Sequence, residues 1–261
     1  MGINTYWIFI LLLLIGGVSL AQQKSFQSFD NTKIAFTDEG NGTPILLVHG
    51  FINSGNSWSK TVLKKELLAK GYRVIIPDLR GNGLSDKPQQ DEGYSNDAEV
   101  KDLVALATHL KLKKYKAIGY SRGSIVLAKL LTVDKRIKKA VLGGMGIHFT
   151  NPNWDRKRMF AAAFDGKTTS ETQGAVDYAK SINADLRSLH LQQLYQPVTS
   201  VKALGKVKIK VLVIAGDQDK DNGDPKALFS VFRKGRLEIV PGDHNGTYKT
   251  TDFATSIIQF L

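Results

Sequence analysis

Apolar positions along this chain concentrate in short segments at residues 45–48, 72–76, 115–118, 137–142, 209–215 and 237–240, of which 45–48 is apolar throughout. Segments of this length suit strands buried on both faces of a parallel sheet. Between them, apolar residues recur three and four apart. This helical spacing covers about 58–70, the stretch ending near 110, 125–132, 225–232 and 250–260. Near the start, 25–29 and 33–37 alternate apolar and polar residues around Asp30-Asn31, the pattern of a half-exposed hairpin. Ser95 or Asn96 is expected to cap the helix that carries Val100, Leu103, Val104 and Ala107. Gly71 is the expected stop of the helix before it. Alternating strands and helices predict an α/β fold, a mostly parallel central sheet with helices on both faces and right-handed crossovers. From 147 to 205 the strand signals vanish. Helical segments near 154–164, 171–182 and 184–194 read as a helical cap inserted in the sheet plan.

Residues 8–15 are apolar and uncharged, broken by Gly16-Gly17 and followed by Ser19-Leu20-Ala21, a small-x-small cleavage pattern. Residues 1–21 are therefore expected to be a secretory signal peptide, with export to the periplasm or medium after cleavage near Ala21. No lysine or arginine precedes the run, so an uncleaved N-terminal membrane anchor is the alternative. The expected division is 1–21 signal, 22–146 and 206–261 core, and 147–205 cap. The chain has 261 residues, 42% of them hydrophobic, enough for one large domain. It has no cysteine, which excludes disulfides, a thiolate nucleophile and cysteine metal sites. No ligand spacing for a metal and no cofactor motif is present. The formal net charge is +12, with lysines densest just before predicted strands. Solvated loops explain them better than a nucleic-acid groove, because no aromatic interleaving accompanies them. Weak attraction to anionic surfaces or substrates remains compatible with this charge.

The candidate chemistry starts at Gly119-Tyr120-Ser121-Arg122-Gly123, between a predicted strand and a predicted helix. A strand that turns sharply into a helix holds its middle residue in a strained conformation, and both flanking positions must lack side chains. Ser121 would thus stand at the carboxyl edge of the sheet over a helix N-terminus that favours negative charge. His49, Asp78, Asp217, Asp219 and His244 also follow predicted strands directly. In such a sheet reactive groups gather at the carboxyl ends of the strands.

With these motifs in order, the chain resembles the α/β-hydrolase family from about residue 29 to 261. The signatures stand as His49-Gly50, Asp78-x-Arg80-Gly-x-Gly-x-Ser85, Gly119-x-Ser121-x-Gly123, Gly216-x-x-Asp219 and Gly242-Asp-His244. The resemblance implies Ser121 as nucleophile, His244 as general base and Asp219 as the acid that orients it. It also implies two oxyanion donors, assigned to the backbone amides of Arg122 and Phe51. An aspartate would stand at position 121 in relatives that open epoxides or displace halides.

Several residues have plainer readings. Asp217 competes with Asp219 for the acid, but the spacing from Gly216 favours Asp219 and leaves Asp217 as a loop brace. His49 is expected to order the oxyanion loop, and Asp78 and Arg80 to form a loop-bracing ion pair. His109 should face solvent, while His148 and His190 belong near the cap. Trp58 and Trp154 read as packing residues. The Arg122 side chain suits a packing or salt-bridge role beside the sheet better than recognition of an acidic substrate. Ser124, where relatives often have glycine, makes the local helix packing an open question. Phe149, Trp154, Met159, Phe160, Phe164, Leu189 and Leu194 are expected to form an apolar roof over a small acyl group. The expected function is a serine hydrolase that cleaves a carboxylic ester or related acyl compound through an acyl-enzyme. The alternatives are a hydrolase-fold binding module without turnover and a basic surface-binding protein.

Overall fold

The computed structural model describes residues 22–220 and 222–261. The expected signal segment lies outside the described residues. Among the described residues no helix is long and apolar enough to cross a membrane.

The alternating segments near the start pair as an antiparallel hairpin, β1 (Lys24–Gln27) with β2 (Lys33–Glu39). Phe26, Ile34, Ala35 and Phe36 are its buried residues. Asn31, at φ 63°, takes the left-handed conformation that lets the turn close. The other apolar segments become β3 (Pro44–Val48), β4 (Arg73–Pro77), β5 (Tyr115–Tyr120), β6 (Ile137–Gly143), β7 (Lys210–Gly216) and β8 (Gly235–Val240). The eight strands form one sheet in the order β1-β2-β4-β3-β5-β6-β7-β8. β2 meets β4 antiparallel, and from β4 to β8 every pair is parallel.

Alternate residues of each strand go to opposite faces, which sorts the core into two layers. On one face, Leu46, Val48, Ala117 and Leu142 pack under α3 (Ala98–His109), α4 (Arg122–Val133) and α9 (Pro225–Ser230). On the other, Ile45, Leu47, Ile118 and Val141 pack under α2 (Val62–Ala69) and α10 (Thr251–Phe260). Each such fully buried valine, leucine or isoleucine contributes roughly 1.5–3 kcal/mol of transfer free energy.

The helix expected over 58–70 is interrupted. A short α1 (Asn56–Ser59) ends before Thr61, whose Oγ1 accepts the Lys64 amide at 3.2 Å and caps a new helix, α2. Gly71 ends α2 as expected. Its φ is +77°, its amide donates to Leu68 O and that of Tyr72 to Leu67 O, a Schellman closure. The expected cap of α3 is a correction. Neither Ser95 nor Asn96 caps it, because Asn96 and Asp97 both turn left-handed (φ 55° and 59°) and bring the chain in at Ala98 without a side-chain cap.

Between β6 and β7 the chain leaves the sheet and forms α5 (Asp155–Phe164), α6 (Gln173–Ser181), α7 (Leu186–Leu194) and α8 (Val201–Leu204). Their shared apolar centre is small: Ala163, Phe164, Val176, Ala179 and Leu189, with Ile52 from the core. The chain reverses direction across the sheet between β3 and β5. From β3 it first runs outward to β4, then returns to the other side of β3. The crevice at the carboxyl ends of these two strands is the topological switch point where such sheets bind ligands.

Candidate active site

The strand register aligns the carboxyl ends. Val48 pairs with Gly119, Tyr120 with Gly143, Gly143 with Ile214, and Gly216 with Val240. The loops that leave these strands therefore start along one rim. Ser121 follows β5 at φ 53°, ψ −126°, a conformation that non-glycine residues rarely adopt. The close approach around it explains both motif glycines. A side-chain carbon on Gly119 would come within 2.5 Å of Gly123 O, and one on Gly123 within 2.3 Å of Val48 O. Ser124 fits as well as a glycine would here. Its hydroxyl reaches Gly119 O at 2.9 Å and Gly143 O at 2.8 Å, which fastens the first turn of α4 to β5 and β6.

The rim brings together the three side chains expected to meet. His244 Nε2 lies 2.8 Å from Ser121 Oγ, and His244 Nδ1 lies 2.7 Å from Asp219 Oδ2. The Asp219 side chain is almost fully buried, at 3% exposure, while the imidazole keeps 17%. A buried carboxylate on Nδ1 fixes the tautomer that leaves Nε2 as an acceptor toward the serine. Asp217, the competing acid, instead accepts the Gly242 amide at 2.9 Å and braces the loop that carries His244.

Two residues without a motif complete the histidine's surroundings. Tyr120 donates its hydroxyl to His244 O at 2.8 Å. Burial, with the Asp219 charge next, pushes this phenol far above its ordinary range, so it stays a donor. The Asn222 carboxamide faces His244 Nδ1 from 3.2 Å. Tyr120 sits inside the elbow motif at a variable position, and Asn222 follows Asp219 by three residues. Neither spacing announced a role.

The loop after β3 passes directly over the serine. A side-chain carbon on Gly50 would lie 3.3 Å from Ser121 Cβ. Among the described residues, the amides of Phe51 and Arg122 have no hydrogen-bond partner. His49 holds this loop as expected. Its Nε2 accepts the Leu79 amide at 3.0 Å, so Nδ1 carries the proton and donates to Gly50 O at 2.8 Å. Burial holds its pKa below 6.5, partly offset by the Gly50 carbonyl and the Asp78 charge.

The expected Asp78–Arg80 ion pair does not form. Asp78 spends its two oxygens on the amides of Gly55 (2.7 Å) and Leu84 (2.8 Å), tying two loops together. Arg80, fully buried, instead clamps Asp102 of α3 through two bonds of 2.6 Å and reaches Asp30 of the hairpin turn at 2.8 Å. The Arg122 side chain makes the expected salt bridge. It pairs bidentately with Glu99 at 2.8 and 2.5 Å and donates to Gln192 O of α7 at 2.8 Å. His109 is exposed and stacks on Phe26 at 5.1 Å. His190 joins α7 to α5 through Ala161 O at 2.7 Å, and His148 is exposed, so neither lines the cavity.

A cavity of about 530 Å³ opens above Ser121 and His244, with walls from both the rim and the helical insertion. The expected apolar roof is only partly correct. Trp154 and Phe160 line the cavity, and so does Trp58. Phe149 packs into the sheet core instead, and Phe164 and Leu189 fill the insertion's own centre. Leu194 is exposed, and Met159 is not part of the wall. Spacing alone could not tell which face of each insertion helix would turn inward.

Comparison with known proteins agrees with this geometry. The family model described as the alpha/beta hydrolase fold matches residues 43–169. A non-heme haloperoxidase of Rhodococcus erythropolis is 36% identical over 252 residues, 83% of this chain and 90% of that protein. A putative non-heme chloroperoxidase of Synechocystis is 42% identical over 111 residues, but that match spans only 42% of this chain and 39% of the relative. Among solved structures, a bromoperoxidase from Bacillus anthracis superposes with a TM-score of 0.73 at 22% identity, over 92% of this chain and 99% of that one. A thermophilic esterase from Thermogutta terrifontis does so with the same TM-score and identity, over 92% and 97%. These structural likenesses speak for the fold. The family model and the haloperoxidase relative, matched over 83% of the chain, establish that the chain belongs to the α/β-hydrolase family.

Proposed function

We propose that this chain is an exported serine hydrolase that cleaves a carboxylic ester or a related acyl compound through an acyl-enzyme. The observation that carries the reading is the unbroken path from Ser121 Oγ through both nitrogens of His244 to the buried carboxylate of Asp219, with contacts of 2.8 and 2.7 Å. A neutral serine is a weak nucleophile, so its proton must leave as it attacks. In this reading Nε2 takes that proton while Oγ bonds to the acyl carbon. Asp219 stabilises the imidazolium that forms. The carbonyl oxygen, now negative, accepts hydrogen bonds from the amides of Phe51 and Arg122, each worth roughly a hundredfold in turnover. His244 then returns the proton to the departing alcohol. Water, deprotonated by the same nitrogen, releases the acid.

Serine at position 121 supports acyl chemistry over epoxide or halide displacement. Relatives bear names as different as haloperoxidase and 2-hydroxymuconate semialdehyde hydrolase, so the family alone does not choose the acyl compound. A p-nitrophenyl ester series of increasing acyl length tests the reading. Hydrolysis should fall by about 10⁴-fold or more in Ser121→Ala. A folded protein that hydrolyses none of the series, or a Ser121→Ala variant as active as the parent, would contradict it. Export is tested separately by the mass of the mature N-terminus, expected to begin at Gln22.

A further inference from the structure

The walls of the cavity above Ser121 are unbalanced in charge. Among the described residues no aspartate or glutamate lines it, yet three cationic residues do: Arg122, Arg156 and Lys249. Arg122 is already neutralised by Glu99. Arg156 and Lys249 form no ion pair with any described carboxylate. The acid nearest Arg156 in sequence, Asp155, pairs with Arg158 instead.

The two unpaired cations come from different parts of the chain. Arg156 belongs to the first turn of α5, in the insertion. Its guanidinium lies 4.8 Å over the ring of Phe160, and Phe160 packs edge-on against Phe51 at 5.9 Å. Lys249 belongs to the core, in the short turn after His244. Its ammonium lies 5.2 Å from the ring centre of Tyr248, and Tyr248 packs on Tyr120 at 4.9 Å. Each cation is thus stationed by an aromatic ring one layer away from the reacting centre, beside the oxyanion loop in one case and the nucleophile's strand in the other. Arg156 is half-buried. A guanidinium drawn partly out of water without a carboxylate gives up hydration that an incoming anion would replace.

We infer that, if the site is the acyl hydrolase proposed above, its substrate carries a second, anionic group, a carboxylate remote from the scissile bond, which Arg156 and Lys249 receive. The other polar side chains on the wall, among them Asn53, Gln193, Gln196, Asn222 and Asn245, carry no fixed charge and leave these cations as the main charge a substrate meets. An acyl chain with an apolar middle and a carboxylate end would lie across Trp154 and Phe160 and end at the cations.

The test separates this inference from the hydrolase reading by measuring binding without turnover. Ser121→Ala protein is titrated calorimetrically with monomethyl esters of the linear diacids from succinic to suberic, and with the corresponding neutral dimethyl esters. At least one chain length should bind about tenfold tighter as the anion. That preference should shrink as salt is raised and be lost in the Arg156→Gln, Lys249→Gln double variant. Arg156→Lys, which keeps the charge, should retain part of it. In the Ser121 parent, the same chain length should show the preference in kcat/KM. Equal binding of charged and neutral members throughout, or a preference that survives the double variant, overturns the inference while leaving ester hydrolysis intact. Anion-selective binding without hydrolysis of any ester would sustain the ligand class and sink the hydrolase reading.

Discussion

The cavity has two walls built on different principles. The sheet rim is held by backbone pressed against backbone. Gly119 meets Gly123 and Gly123 meets Val48 without room for another carbon, and the loop at Gly50 rests closely on Ser121. The helical insertion meets that rim through the packing of Phe51 and Ile52 against Phe160 and Phe164 and through a few buried polar links. Arg122 reaches Gln192 O, and the Gln192 side chain reaches Arg80 O at 2.7 Å. Farther out, Tyr195 donates to Asp91 at 2.6 Å. Its own apolar centre is a handful of residues, against the two extensive layers of the sheet. The rim is thus fixed in position by sterics, whereas the insertion is fixed by partners supplied from the core. Precision in reacting atoms demands the first, and variety in substrate contact permits the second.

The largest expected effect probes the rim. Gly123→Val drives a side chain into the Val48 carbonyl and should cost about 4 kcal/mol or more, read as loss of folded protein in a urea titration. If the variant folds normally, the backbone account of the rim is wrong. Next comes the junction. Glu99→Gln leaves the Arg122 guanidinium buried beside an uncharged amide, and should cost about 3 kcal/mol. It should also raise proteolytic cutting within 147–205 before the core unfolds.

A smaller effect follows from His49. Its folded pKa is depressed below 6.5, so the unfolded state binds the extra proton first. The stability it contributes is complete above pH 6.5 and is lost as pH falls through the depressed folded value. Denaturation midpoints measured across that window should drop on acidification, and less steeply in His49→Asn. The smallest effect sharpens the contrast by returning to glycine. Gly174, in α6, has nothing within 4 Å of where a side chain would begin. Gly174→Ala should raise stability by about 0.5 kcal/mol, the opposite sign to Gly123→Val.

The same contrast explains what could be read from the sequence. The rim is written in local code. The Gly-x-Ser-x-Gly turn requires small residues at fixed spacing, and the strands before Ser121, Asp219 and His244 are short, largely apolar segments, so their order and approximate ends were legible. The competition between Asp217 and Asp219 was also readable, because the Gly-x-x-Asp spacing of the family it resembles favours Asp219. The insertion was legible as helices and little more. Nothing near Gln192 signals that its carbonyl will meet Arg122 or that its amide will meet Arg80, partners many residues away. The Asp78–Arg80 expectation failed for a related reason. Two nearby opposite charges looked like a pair, but nearby amides claimed Asp78 and a distant helix claimed Arg80. Asn222 and Tyr120 escaped notice because their work depends on where the His244 loop folds back.

The central claim is that Ser121 is a nucleophile made reactive by His244 and Asp219. Its most direct test is to treat the purified protein with a fluorophosphonate probe and map the adduct by peptide mass spectrometry. The account predicts one adduct, on Ser121, lost in Ser121→Ala and greatly slowed in His244→Ala. Folded protein that takes up no probe, or that carries the adduct at a different residue, would contradict it.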